Sequence, residues 1–193
     1  MNTPAVVTDS SICSMRNIYF RHINGITMVE SMVVLAITGI LTMIATPSFV
    51  GTTQRFRVLG ETNLLLTSMT FARSEAIKRG IPVTMCASSD GTSCLGTATW
   101  QTGWIVFTDV GADRTVGMLL KVTPALKNSD SIAADNAVAS VTFGHDGFTT
   151  GQNVGVVTFA IHTTPANSSA TRCVAVSRTG RLETQSAGAG ACA

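Results

Sequence analysis

The sequence predicts an α+β fold: a long N-terminal α-helix, transmembrane in its first part, packed on a C-terminal antiparallel β-sheet or β-sandwich head. Three observations predict it. Ser31–Val50 is a run of twenty residues without a charge, long enough at about 1.5 Å per residue to cross a hydrocarbon core of roughly 30 Å. Val58, Leu65, Met69, Ala72 and Ala76 then recur at helical spacing. From Ile81 onward the texture changes to short β-branched and aromatic runs divided by Gly, Asp, Asn, Ser and Thr.

The elements follow in chain order. Arg16, Arg21 and His22 make the flank before the apolar run basic, which predicts a cytoplasmic N-terminus and places everything after Val50 on the far side. The run exceeds the roughly 7–15 apolar residues of a cleaved secretory signal. Glu30 stands at its mouth, where a carboxylate is costly unless paired. Pro47, Gly51 and Gly60 predict a kink or a melted turn. From about Gln54 to Arg79 the pattern is amphipathic, with Glu75 and Arg79 in the favourable order, Lys78 and Arg79 in the last turn, and Gly80 with Pro82 as the stop.

In the head, strands are expected over residues 82–87, 103–108, 117–123, 139–143, 155–161 and 172–177, with turns at Asp90-Gly91, Asp146-Gly147 and Thr179-Gly180. The polar stretch Lys127–Asn136 reads as a surface loop. A head of this length buries one core, and two packed sheets against the helix are the simplest way to build it.

Four cysteines, Cys86, Cys94, Cys173 and Cys192, lie beyond the apolar run, and Cys13 lies before it. An even number on the far side of a membrane fits disulfides, for which four cysteines allow three pairings. Cys86 and Cys94 flank the Asp90-Gly91 turn and suit local closure, which leaves Cys173 to tie down Cys192. Neither spacing is the short knuckle of a structural zinc site. The candidates for catalysis, His145-Asp146, His162 and scattered serines, form no set, and neither a phosphate loop nor a nucleophile elbow is present. The sequence therefore predicts no enzyme, cofactor or metal. From Ile81 the head carries six Lys/Arg against seven Asp/Glu, a balance with no nucleic-acid footprint.

The stretch "G-ITMVE", followed by the apolar run with Pro47, resembles the class III leader and N-terminal helix of type IV pilins and type II secretion pseudopilins. "FARSEAIKRGIPVTMCASSDGTSC", "WQTGWIVFTD", "VTFGHDGF" and "CVAVSRTGRL" resemble successive blocks of the GspH/FimT class of minor pilins and pseudopilins. The resemblance implies a pilin-like fold and cleavage after Gly25 by a prepilin peptidase, with N-methylation of Ile26. It further implies that Glu30 pairs with the N-terminal amine of a neighbouring subunit. Ile26 and Met28-Val29 replace the usual Phe and Leu-Ile with other apolar residues.

The chain is then organised as a leader at 1–25, with Met15 an alternative start, a membrane and assembly segment at 26–50, the amphipathic half of the helix at 51–80, and the head at 81–193. The implied partners are other pilin or pseudopilin subunits, the peptidase, an inner-membrane assembly platform and membrane lipid. The head is expected in the periplasm of a bacterium, in a low-abundance subunit of a priming or tip complex. Pro47 and the "ARSEAIKRG" block lean toward a pilus over a secretion system. Some FimT-like minor pilins take up DNA through a Gly-Arg-x-Arg element, so DNA is the alternative partner, with Arg172, Arg178 and Arg181 as candidate contacts. Here the element reads Gly180-Arg181-Leu182-Glu183, an acid where the second arginine belongs.

Overall fold

Helix α1 spans Met28–Arg79 and keeps its helical course through Pro47, Gly51 and Gly60, so the melted turn expected there is absent. The computed structural model describes residues 25–127, 130–150, 155–190 and 192, the side chains at 44–48 excepted. The leader, with Cys13, Met15 and its basic residues, lies outside the described residues. The chain divides into two units after Thr42.

In the first unit the described chain is the opening of α1, and all its side chains from Gly25 to Thr42 are exposed. In the second, the rest of α1 packs on the head. Its buried stripe is Val58, Leu65, Met69, Ala72 and Ala76, each 0% exposed. Gly80 closes the helix in a left-handed conformation (φ 68°) and donates to Ala76 O at 3.0 Å, which spares a terminal carbonyl.

Among the described residues the head contains nine strands: β1 (Val83–Ala87), β2 (Gly103–Thr108), β3 (Leu119–Pro124), β4 (Ser131–Ala134), β5 (Ser140–Phe143), β6 (Thr149–Thr150), β7 (Val157–His162), β8 (Arg172–Val176) and β9 (Leu182–Ser186). They form a five-stranded sheet in the order β3-β2-β1-β5-β6 and a four-stranded sheet in the order β4-β7-β8-β9, antiparallel throughout. β4 falls inside the stretch expected to be a loop. Its residues, SIAA, bury one large side chain, Ile132, and a strand that short shows no alternation. β6 has two residues, and β9 is a polar edge strand, so neither has an apolar signature.

The inner faces of both sheets and the α1 stripe share one core, in which Trp100 meets Phe159 edge-on at 5.2 Å between ring centroids. Trp100 Nε1 donates to Val138 O at 2.8 Å, so the buried ring keeps its polar atom satisfied. β1 and β2 are buried on both faces, which is why they read as largely apolar runs without alternation, the polar Thr84 of β1 donating to Asp109 Oδ2 at 2.7 Å. On the outer face of the five-stranded sheet, Cys86, Ile105 and Phe107 form a second small core with Cys94 and Val116, which come from the loops at 88–99 and 109–117.

Candidate assembly site and the groups that hold the head

Thr27 precedes the first turn of α1 and accepts a hydrogen bond from Glu30 N at 3.2 Å. Thr-x-x-Glu is the spacing of a capping box, so Glu30 occupies the third helical position, where an acid also suits the helix dipole. That signal stands in the sequence and fixes Glu30 at the start of the helix, its backbone amide capped by Thr27. On both sides of it in the chain the surface is apolar: Ile26, Met28, Val29, Met32, Leu35, Ile40, Leu41 and Met43 are all well exposed. The hydroxyls among them bond to the helix itself. Thr38 Oγ1 donates to Val34 O at 2.8 Å and Leu35 O at 3.0 Å, and Thr42 Oγ1 to Gly39 O at 2.9 Å. No helix among the described residues is long and apolar enough to cross a membrane, and the described side chains stop at Met43 before resuming at Phe49.

In the second unit, an ion pair fastens α1 to the head. Arg57 donates from Nε and Nη2 to Asp130, at 2.5 and 2.7 Å, and the Asp130 side chain is fully buried. Thr164 N donates to the same carboxylate at 2.9 Å. Glu61, one turn on from Arg57 and 9% exposed, joins this group. Burial raises its pKa to about 7, helped by the Asp130 charge and a hydrogen bond with Asp130, and opposed by Arg57.

The folded protein therefore holds a proton that the unfolded chain releases near 4.5. This group's stabilising effect is complete below that pH, fades as pH rises toward 7, and is level beyond. Urea unfolding should show a fall of about 2 kcal/mol between pH 5 and 8, and Glu61→Gln should flatten it. An equal slope in both proteins would contradict the raised pKa.

A second fastening lies near the end of the helix. Arg73 donates from Nε to Gly147 O at 3.0 Å and from Nη2 to Thr179 O at 3.3 Å, so one guanidinium braces two turns. The turns touch. A Cβ on Gly180 would lie 2.0 Å from Gly147 O, and Gly180 has φ 72°. Thr149 N donates to Arg178 O at 2.9 Å, which links the edge of one sheet to the β8–β9 turn of the other. The blocks "FARSEA", "GHDGF" and "SRTGR" thus meet at one point. Sequence reasoning found the turns but not Arg73, Arg57, Glu61 or Asp130, whose partners are distant in the chain.

Cys86 is bonded to Cys94 and Cys173 to Cys192. The first bridge closes a loop ordered by Asp90, whose Oδ1 accepts from Thr92 N at 2.8 Å and Ser93 N at 2.9 Å. Hydrogen bonds from the Ser93 hydroxyl and these amides hold the Asp90 pKa well below the usual carboxylate range. The second bridge fixes the C-terminal tail to β8, and Gly188 N donates to Cys192 O at 2.8 Å within it.

The candidate arginines do not gather. Arg172 begins β8 and donates from Nη1 to Thr171 O at 2.8 Å, whereas Arg178 and Arg181 lie in the turn beyond the strand's other end. The length of β8 separates Arg172 from Arg178, four extended steps or roughly 13 Å from Arg172 to Val176 alone. Arg181 Nη2 pairs with Glu183 Oε1 at 2.6 Å. His145 sits in the turn before β6, and His162 ends β7, away from it in the other sheet.

The fold has known relatives. The type IV minor pilin FimU of Pseudomonas aeruginosa, in one crystal form, is 21% identical, with a TM-score of 0.56 over 70% of this chain and 92% of FimU. A second crystal form of FimU gives 20% identity and a TM-score of 0.52 over 67% and 93%. The minor pseudopilin EpsH from the Type 2 Secretion System of Vibrio cholerae is 12% identical, with a TM-score of 0.48 over 68% and 98%. No curated protein sequence matches the chain. The family model described as "Type II transport protein GspH" matches residues 61–180. That span takes in the Arg57-proximal Glu61, the Arg73 brace, both braced turns and all but the last strand, and on it the chain belongs to the GspH family of minor pilins and pseudopilins.

Proposed function

We propose that the chain is a structural, non-catalytic subunit of a type IV pilus or type II secretion pseudopilus, in a priming or tip complex. In this reading the prepilin peptidase cuts after Gly25 and Ile26 becomes the methylated N-terminus. The segment at 26–50 then anchors the subunit in the inner membrane, with Pro47 in the assembly segment and the head in the periplasm. The observation that carries the reading is the apolar surface from Ile26 to Met43, exposed on every side and with its described hydroxyls satisfied within the helix. Such a surface needs lipid or other apolar helices around it. Lipid serves before assembly and neighbouring subunits after it. The DNA-uptake alternative gains nothing from the arginines, because Arg181 is already paired with Glu183 and Arg172 lies at the other end of β8.

Glu30 supplies the test, because its shape and its charge can be separated. Glu30→Gln keeps the shape and loses the charge, whereas Glu30→Ala loses both. Both proteins should insert and be cleaved as the parent is. Both should fall by about tenfold in sheared fibres, equivalent to ~1.4 kcal/mol, with processed protein stranded in the membrane fraction. Normal fibre recovery of Glu30→Gln would show that the charge has no part in assembly. An uncut precursor of the parent protein would overturn the processing step.

A further inference from the structure

Gln54 is the first described side chain of α1 that is buried. Its Nε2 donates to Pro165 O at 3.3 Å and its Oε1 accepts from Asn167 Nδ2 at 2.8 Å, which fastens the loop between β7 and β8 to the helix at that level. Two arginines meet beside this fastening. Arg55 donates from Nη2 to Ser169 Oγ at 3.3 Å, while Arg172 donates from Nη1 to Ser169 O at 3.4 Å and to Thr171 O at 2.8 Å. Both guanidiniums therefore touch one serine, the first from α1 and the second from β8. Among the described residues they bond only to neutral oxygens and stand in no ion pair, so each keeps N–H donors to spare. No acid occurs in the loop at 163–171 or in α1 between Glu30 and Glu61. Asp130, which accepts from Thr164 of this loop, is buried and already held by Arg57.

We infer that Arg55 and Arg172 clasp the phosphate of an anionic phospholipid where α1 leaves the membrane, a reading that rests on the proposed anchoring of the segment at 26–50. Depth favours a lipid as the source of the phosphate. The headgroup layer is roughly 5–8 Å deep on each side of a bilayer. Arg55 stands five residues past Val50, which is about 7.5 Å along the helix. The shared Ser169 brings Arg172 beside it from the head. Phe49, Val50 and Phe56 are well exposed on the same stretch of helix, so apolar surface continues up to the arginines, as it does where a helix crosses into an interface. Charge favours an anion, since two guanidiniums brought together repel until a negative group lies between them. A phosphate matches the paired donors of the guanidinium fork better than a single ammonium would.

The test uses the full chain with isotope-labelled arginine in dodecyl maltoside micelles, titrated with dihexanoyl phosphatidylglycerol, dihexanoyl phosphatidylcholine and inorganic phosphate. Phosphatidylglycerol should shift the Nε signals of Arg55 and Arg172 saturably and bind more tightly than phosphatidylcholine, by about fivefold for each arginine. Arg55→Gln and Arg172→Gln should each weaken phosphatidylglycerol by about fivefold, whereas Arg55→Lys keeps the charge and should retain most of the affinity. Arg178→Gln, in the turn beyond the other end of β8, should change nothing. Equal binding of the two lipids, or an equal loss in Arg55→Lys and Arg55→Gln, would overturn the inference. Matching shifts with inorganic phosphate would overturn the lipid as the source. In cells, protein carrying both glutamines should still be recovered in membranes. Recovery of the parent outside the membrane fraction would overturn the anchoring instead, a readout that depends on neither arginine.

Discussion

Gly180→Ala is expected to destabilise the head by about 3 kcal/mol, from roughly 1–2 kcal/mol for a left-handed alanine and the rest for overpacking. The new methyl would sit 2.0 Å from Gly147 O and 2.9 Å from Arg73 Nε. The first neighbour is backbone in another turn and cannot step aside without moving it. In a chain of this size the melting temperature should fall by about 10 °C. Gly188→Ala is the control: its φ is 76° but its Cβ would meet nothing within 4 Å. It should lose only the conformational part. Thermal melts followed by circular dichroism separate the two, and equal losses would mean that the contact between the turns contributes nothing.

Asp130→Ala should cost as much or more, roughly 3–5 kcal/mol, because removing one member of a buried ion pair leaves the other desolvated and unmatched. The substitution takes the acceptor from Arg57 Nε and Nη2 and from Thr164 N together. Asp130→Asn keeps an oxygen for the Thr164 amide and loses the charge, so its loss should be smaller. It should also shrink the fall in stability between pH 5 and 8, since the Asp130 charge helps hold the Glu61 proton. Urea melts at the two pH values report both effects. An undiminished pH slope in Asp130→Asn would assign the raised Glu61 pKa to burial alone.

These sites show what the sequence reveals and what it conceals. The helix was legible because Val58, Leu65, Met69, Ala72 and Ala76 repeat at its period and Gly80 ends it. The central strands were legible because burial on both faces makes β1 and β2 largely apolar. Edge strands β4, β6 and β9 were not, since each is short or polar and is a strand only because a neighbour pairs with it. The fastenings were hidden for a different reason. Arg57 and Asp130 are 73 positions apart, and Arg73 and Gly147 are 74 apart, so no local pattern announces them. The capping-box spacing at Thr27–Glu30 was present in plain order, and Thr27 Oγ1 accepts from the Glu30 amide.

The five-stranded sheet separates two cores that share no side chain: the large one holding α1, and the small one of Cys86, Ile105 and Phe107 beneath the outer loops. Substitutions on opposite faces of that sheet are shielded from each other by its backbone, so their energetic effects should add. The face that meets the helix is constrained by everything the helix must do, whereas the outer loop at 88–99 is anchored by one short disulfide and an Asp90-centred turn. Apart from Asp90 and Cys94, residues 89–97 can therefore drift in sequence, and with them the surface shown to the outside, without disturbing the core that holds α1.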